Sequence, residues 1–237
     1  YFMKLLKKKI SFCEVYEGRF ILINKPLNWT SFQVVNKVRN ILRKHYNIKR
    51  LKVGHAGTLD PLASGLLILA TGKATKQIFK IQSMQKVYTG TMEFGFSTPS
   101  FDKETKPDNF FSINHISESL IKNTIKDFLG ILDQYPPIYS ALKLKGKPMY
   151  EYARENKNIK IKSRKIKIER FEFKSYESPK FDFEVECSKG TYIRSLVNDF
   201  GKKLQSGACL NDLVRVKIGK FCLKNAFEIS DFEKLFE

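Results

Sequence analysis

The chain has 237 residues, with 43 Lys and Arg against 24 Asp and Glu and a formal net charge of +19. That length supplies chain for a sizeable core, in one large domain or two small ones, and the charge favours a polyanionic partner, RNA or DNA before an anionic membrane surface. The longest apolar run, Leu66–Ala70, is far too short to span a bilayer, no apolar leader follows Lys7-Lys8-Lys9, and the dispersed cysteines and histidines show no zinc spacing, so reduced thiols, a cytoplasmic location and no metal are expected.

Arg19–Asn24 is predicted as a short buried strand ended by Lys25-Pro26. Thr30 or Ser31 then caps a helix with Val34, Val35, Val38, Ile41 and Leu42 on one face. The helix ends among Arg43-Lys44 and Lys49-Arg50, with Lys52 following; such a run is either a solvated face or a phosphate-contacting patch. Val53–Gly65 then holds one carboxylate, Asp60, in a segment otherwise poor in charge. Gly54, Gly57 and Gly65 permit tight or left-handed backbone, and Pro61 fixes φ directly after Asp60. Gly65–Thr71 reads as a fully buried strand. Asp60 is therefore either a helix N-cap, with proline at the first helical position, or a side chain held in one place by a constrained loop docked on a core strand. A phosphate-binding loop at Gly72-Lys73 is excluded, since Leu67 stands where its first glycine must be and Ala74 where Ser or Thr is needed.

Ala74–Ser83 is predicted as a short helix, and Lys86–Phe96 as a half-buried strand with Tyr88, Met92, Phe94 and Phe96 on one face. Ser117 is predicted to cap a helix running to Gly130. Next comes a proline-bent segment, from Gln134-Tyr135-Pro136-Pro137 to Arg154, in which Lys143, Lys145 and Lys147 interleave with aromatics, as suits a surface that grips backbone and bases. The lysine-rich run Lys157–Lys167 leads into a strand pair, Lys165–Ser175 and Phe181–Cys187. A turn at 188–192 opens a helix with Arg194 in its first turn, and one short helix is expected after Phe221.

The stretch from Gly54-His55-Ala56-Gly57-Thr58-Leu59-Asp60-Pro61 to Leu67 resembles the catalytic signature of the TruB-type tRNA pseudouridine-55 synthases, in a long and nearly unbroken match. Asn24–Ser31, Lys86-Val87-Tyr88, Gln134–Arg154, Cys187–Leu196 and Leu213–Phe221 are similar to further motifs of that family. The resemblance implies that Asp60 is catalytic, that Tyr88 packs against the target uracil, and that Arg194 pairs with Asp60. It also implies that Tyr192 is a second active-site tyrosine, that Leu213 lines the uracil pocket with Arg215 nearby, and that His55 fills the space the base vacates. Lys25, in the motif that supports the catalytic loop, is counted with Arg43, Lys44, Lys52, Lys143, Lys145, Lys147 and Arg215 as RNA-binding. Gly95–Lys106 resembles the family's Thr- and Asp-containing loop, except that Glu104-Thr105 stands where a glycine is usual.

Many strands without strict β-α alternation, together with several helices, give an α+β fold. The resemblance implies the pseudouridine synthase fold: a mixed, mostly antiparallel sheet in two halves, flanked by helices, with a central cleft. It implies one catalytic domain over residues 1–237, an RNA-clasping insertion at about 134–160 and no C-terminal PUA domain. The expected partner is the T-arm of tRNA, the expected state a monomer, and no cofactor is required. Attack on ribose C1′, attack on uracil C6 and removal of a ribose proton all remain open to Asp60. The alternative is a non-catalytic tRNA-binding or tRNA-folding protein, which would gain nothing from a carboxylate aimed at a polyanion.

Overall fold

The computed structural model describes residues 11–144, 146–155, 157 and 159–237. In chain order the first elements are α1 (Phe12–Glu17), β1 (Phe20–Lys25), α2 (Ser31–Tyr46), β2 (Val53–His55), β3 (Ala63–Thr71), a 3-10 turn (Gly72–Gln77), α3 (Ile78–Gln82) and β4 (Lys86–Phe94). The next are β5 (Phe96–Ser97), β6 (Asn109–Phe110), α4 (Glu118–Lys126), β7 (Gly130–Gln134), β8 (Lys143–Leu144), β9 (Lys147–Pro148) and α5 (Met149–Arg154). The last are β10 (Arg164–Glu177), β11 (Lys180–Cys187), α6 (Ile193–Lys203), β12 (Ala208–Ile218), β13 (Phe221–Cys222), a 3-10 turn (Leu223–Asn225) and α7 (Ile229–Lys234). They divide into two compact units, Tyr1–Tyr88 with Val214–Glu237, and Thr89–Leu213. The α+β class is as the sequence implied.

In the first unit the strand order is β1-β3-β12, with β2 on β3 and β13 on β12. β1 and β3 run antiparallel from Phe20 opposite Ala70 to Lys25 opposite Gly65. Both are covered on both faces, which is why they read as unbroken apolar runs. Ile21, Ile23, Leu67 and Leu69 pack with Val34, Val35, Val38 and Leu42 of α2 and Phe232 of α7. The alternate residues Phe20, Leu22, Leu66, Ile68 and Ala70 pack with Ala74, Ile81 and Phe221. Thr30 caps α2: its hydroxyl accepts the Gln33 N–H, and Gln33 Oε1 accepts the Thr30 N–H at 2.7 Å. Asn47, at φ 51°, ends the helix.

In the second unit the order is β12-β4-β11-β10-β7. β10 and β11 form a long antiparallel hairpin, and β7 pairs along the start of β10 from Gln134 opposite Arg164 to Gly130 opposite Ile168. The core is aromatic. Phe200 of α6 sits 5.6 Å from Phe171, 5.9 Å from Phe181 and 6.4 Å from Phe94, measured between ring centroids.

Three expected elements differ. The helix from Ala74 is a 3-10 turn followed by the single turn α3. The helix capped by Ser117 stops at Lys126; Gly130, expected to close it, has φ +88° and instead begins β7. The strand from Lys86 breaks at Gly95, whose φ is +105°. Among the described residues no helix is long and apolar enough to cross a membrane, the four cysteines are free, and no group of three or more His, Cys, Asp or Glu could hold a metal.

Candidate active site

Asp60 lies on the loop between β2 and β3. The loop is not a capped helix: Ala63 N–H donates to Asp60 C=O at 3.1 Å, closing one turn that leads directly into β3. The local alternative of an N-cap is thereby corrected. Asp60 is partly exposed, while Leu59 before it is buried.

The backbone on either side of Asp60 is tied down from three directions. Ser31, buried at the start of α2, accepts the Leu59 N–H at 2.9 Å and donates its hydroxyl to the Leu59 C=O at 3.1 Å. Pro61 C=O accepts the Asn28 N–H at 2.8 Å and lies 3.4 Å from Lys25 Nζ. Arg215, 1% exposed, donates to Gly57 C=O at 3.1 Å, Thr58 C=O at 3.4 Å and Leu66 C=O at 2.8 Å. Gly65 lets β12 approach, for at φ +101° a Cβ there would fall 2.5 Å from the Arg215 carbonyl oxygen. The loop that carries the Asp60 carboxylate is thus held on a fixed backbone.

Two residues expected to contact RNA are corrected by this arrangement. Lys25 is fully buried, and its Nζ also donates to Pro26 C=O at 2.8 Å and Trp29 C=O at 2.5 Å. Burial lowers its pKa to about 8; the Asp60 charge opposes that shift and Arg215 adds to it. Neither Lys25 nor Arg215 faces solvent; both spend their donors on the carbonyls that shape the loop. His55, at the end of β2, is held below the usual imidazole range chiefly by burial and by Arg215, against a Gly57 backbone hydrogen bond. Its Nδ1 is buried without a hydrogen-bond partner among the described residues.

In the second unit, Arg194 occupies the first turn of α6 and is 3% exposed. Its Nε lies 3.5 Å from Asp102 Oδ2, and its two terminal nitrogens donate to Ser100 C=O at 3.1 Å and Tyr139 C=O at 2.9 Å. Asp102 is itself 4% exposed. It was not singled out, although it stands in the Gly95–Lys106 loop noted from the sequence. Tyr192 precedes α6, with the Arg164 guanidinium 4.9 Å from its ring centroid. Leu213 is buried beside Gly90. Tyr88, of the first unit, is buried in β4.

Of the surface cations, Arg43, Lys44, Lys52 and Lys143 are exposed. Lys147 is partly drawn into contacts with Glu151 and Glu155. Lys145 and the lysines before residue 11 lie outside the described residues.

Comparison with known proteins places these residues in context. Residues 43–193 match the TruB family pseudouridylate synthase (N-terminal domain). The chain is 52% identical over 222 residues to the tRNA pseudouridine synthase B of Flavobacterium johnsoniae, covering 93% of this chain and 97% of that protein. It is 46% identical over 220 residues to the protein of that name from Chloroherpeton thalassium, covering 92% and 90%. Among solved structures it resembles a chain of a Cbf5-Nop10-Gar1 complex, with TM-score 0.71 and 26% identity over 98% of this chain and 62% of that one. With its signature loop inside the matched region and the identity extending over nine tenths of its length, the chain belongs to the TruB family of pseudouridylate synthases.

Proposed function

We propose that this protein converts uridine 55, in the T-loop of tRNA, to pseudouridine, with Asp60 as the group that attacks or removes a proton. Activity as a tRNA pseudouridine synthase follows from its family and its relatives. The isomerisation breaks the C1′–N1 bond and forms C1′–C5; C5 loses its proton and N1 gains one. Atoms and electrons balance without oxidant, reductant or nucleoside triphosphate. The chain must then supply a positioned carboxylate, a held base and protection from water. The observation that carries the reading is the anchoring of the loop around Asp60 by Ser31, Asn28, Lys25 and Arg215.

Arg194 is read as the cation that pairs with Asp60, and Asp102, 3.5 Å from its Nε, as the carboxylate that sets its direction. Tyr88, Tyr192 and Leu213 are read as the walls that hold the base, and His55 as the filler of the gap it leaves. Extruding the base costs a few kcal/mol, which stacking on an aromatic wall offsets by roughly 1–3 kcal/mol. Exposed Arg43, Lys44, Lys52 and Lys143 suit contacts to phosphates. We read the chain as one catalytic domain, with the segment at about 134–160 gripping the RNA, acting as a monomer in the cytoplasm. Release of tritium from C5 of uridine in a tRNA transcript tests the reading: an isomerase releases label in proportion to product, and a protein that only binds tRNA releases none.

A further inference from the structure

Gln134, the last residue of β7, is 2% exposed and opens the Gln134–Arg154 stretch that resembles a motif of the family. Its side-chain amide faces the backbone of Tyr192. Oε1 accepts the Tyr192 N–H at 2.8 Å, and Nε2 donates to the Tyr192 C=O at 3.0 Å. That reciprocal pair has the form of one more rung of an antiparallel ladder, made by a side chain. α6 has no side-chain cap at Tyr192, and the same carbonyl accepts the Leu196 N–H that opens the helix. Gln134 therefore fixes the residue from which α6 starts. Arg164, opposite Gln134 in the β10/β7 register, lies against the Tyr192 ring, so backbone and ring are held from two neighbouring strands.

The same turn of α6 holds the residues that follow Gln134. Ser195, 1% exposed, donates its hydroxyl to Tyr135 C=O at 2.7 Å, and Arg194 donates to Tyr139 C=O at 2.9 Å. The root of the segment read as gripping RNA is thus fastened at three points to the corner that bears Tyr192 and Arg194.

We propose that Gln134 is a positioning residue for the isomerisation. By clamping Tyr192 it sets the direction of the Tyr192 ring and of Arg194 two residues on. With Ser195 it ties the root of the RNA-gripping segment to that corner, so that seating RNA on the segment also seats those two side chains. The proposal rests on the reading of Tyr192 and Arg194 as active-site residues. A purely structural role lowers stability; a positioning role lowers the chemical step at unchanged affinity.

The test uses the full chain with a C5-tritiated T-arm stem-loop, reading single-turnover rate, dissociation constant by filter binding, and melting temperature. Gln134→Met keeps the buried volume and removes both hydrogen bonds. Gln134→Glu keeps the acceptor for the Tyr192 N–H but, ionised, has no donor for its carbonyl. The expected result is a rate lowered roughly 10- to 100-fold by Gln134→Met and less by Gln134→Glu, with binding within about threefold of wild type in both. A Gln134→Met rate within threefold of wild type, or binding weakened as much as the rate, overturns the proposal. Should Gln134→Met fail to fold, Ser195→Ala carries the same test: a loss of about threefold or more in rate at unchanged binding supports the proposal, and a wild-type rate overturns it. Arg194→Ala separates the two levels. Wild-type turnover there removes the underlying reading; lost turnover there with wild-type turnover in Gln134→Met removes only the role of Gln134.

Discussion

Replacing Lys25 with Met should change how stability depends on pH, in a direction fixed by its burial. The ammonium is fully enclosed, and its pKa falls from 10.5 to about 8. Below pH 8 the group is protonated in both folded and unfolded chains, and the folded state carries the cost of holding a buried cation. Between 8 and 10.5 the unfolded chain binds more protons than the folded one, so stability rises with pH across that window and levels off above it. At 1.36 kcal/mol per pKa unit the rise attributable to this lysine is about 3 kcal/mol. Lys25→Met abolishes that rise. It also leaves Pro26 and Trp29 carbonyls without their donor, a cost of roughly 1–3 kcal/mol each that does not vary with pH. Urea denaturation of both proteins at pH 7, 8, 9 and 10 isolates the effect, because titrations elsewhere cancel in the difference. Wild-type stability minus variant stability should climb toward the alkaline end. A difference constant to within about 0.5 kcal/mol over that range would refute the argument that this lysine is held against its charge.

Gly65→Ala should destabilise the protein by about 2–4 kcal/mol, since the residue is at φ +101° and the new methyl meets the backbone of Arg215. Gly146→Ala, also at positive φ but with nothing within 4 Å, should cost only about 1 kcal/mol; equal costs in thermal denaturation would show that the close approach of β12 is not what requires Gly65. Binding to the T-arm should weaken with salt at a slope of log K against log[salt] near about −4 to −5, if six or so phosphates are neutralised; a slope near zero in filter binding would assign the net charge of +19 to solubility alone.

How much of this was legible in the sequence depends on where each residue's partners lie. β1 and β3 were legible because burial on both faces leaves an apolar run that no polar position interrupts. Asp60 was legible because glycine and proline crowd a short, charge-poor segment, and because the motif is long. Lys25 and Arg215 were counted with the RNA-binding cations, although both are buried. A sequence shows a charge, and the default for a charge is solvent; only the fold assembles the ring of loop carbonyls that takes them inside. Gln134 opens a stretch that resembles a family motif, but its clamp on Tyr192 was not legible, since Tyr192 is 58 residues away and the bond is to backbone, which any residue type offers. β7 was missed because Ile131 is 68% exposed, Leu132 is only half-buried, and the strand ends on the polar residues Asp133 and Gln134. Asp102 is the aspartate of the Gly95–Lys106 loop noted from the sequence, but its partner Arg194 is distant along the chain and only the fold brings the two together.

The most direct test of the central claim is turnover by Asp60→Asn. Asparagine keeps the shape of the side chain and leaves the anchoring of the loop through Leu59, Pro61 and Gly57 untouched, yet it is neither a useful nucleophile nor a base. Tritium release from C5 and filter binding should be measured on one preparation at one salt concentration. The account predicts tRNA binding within about threefold of wild type and turnover lowered by at least about a thousandfold. Turnover within about tenfold of wild type would contradict it and remove Asp60 from the chemistry.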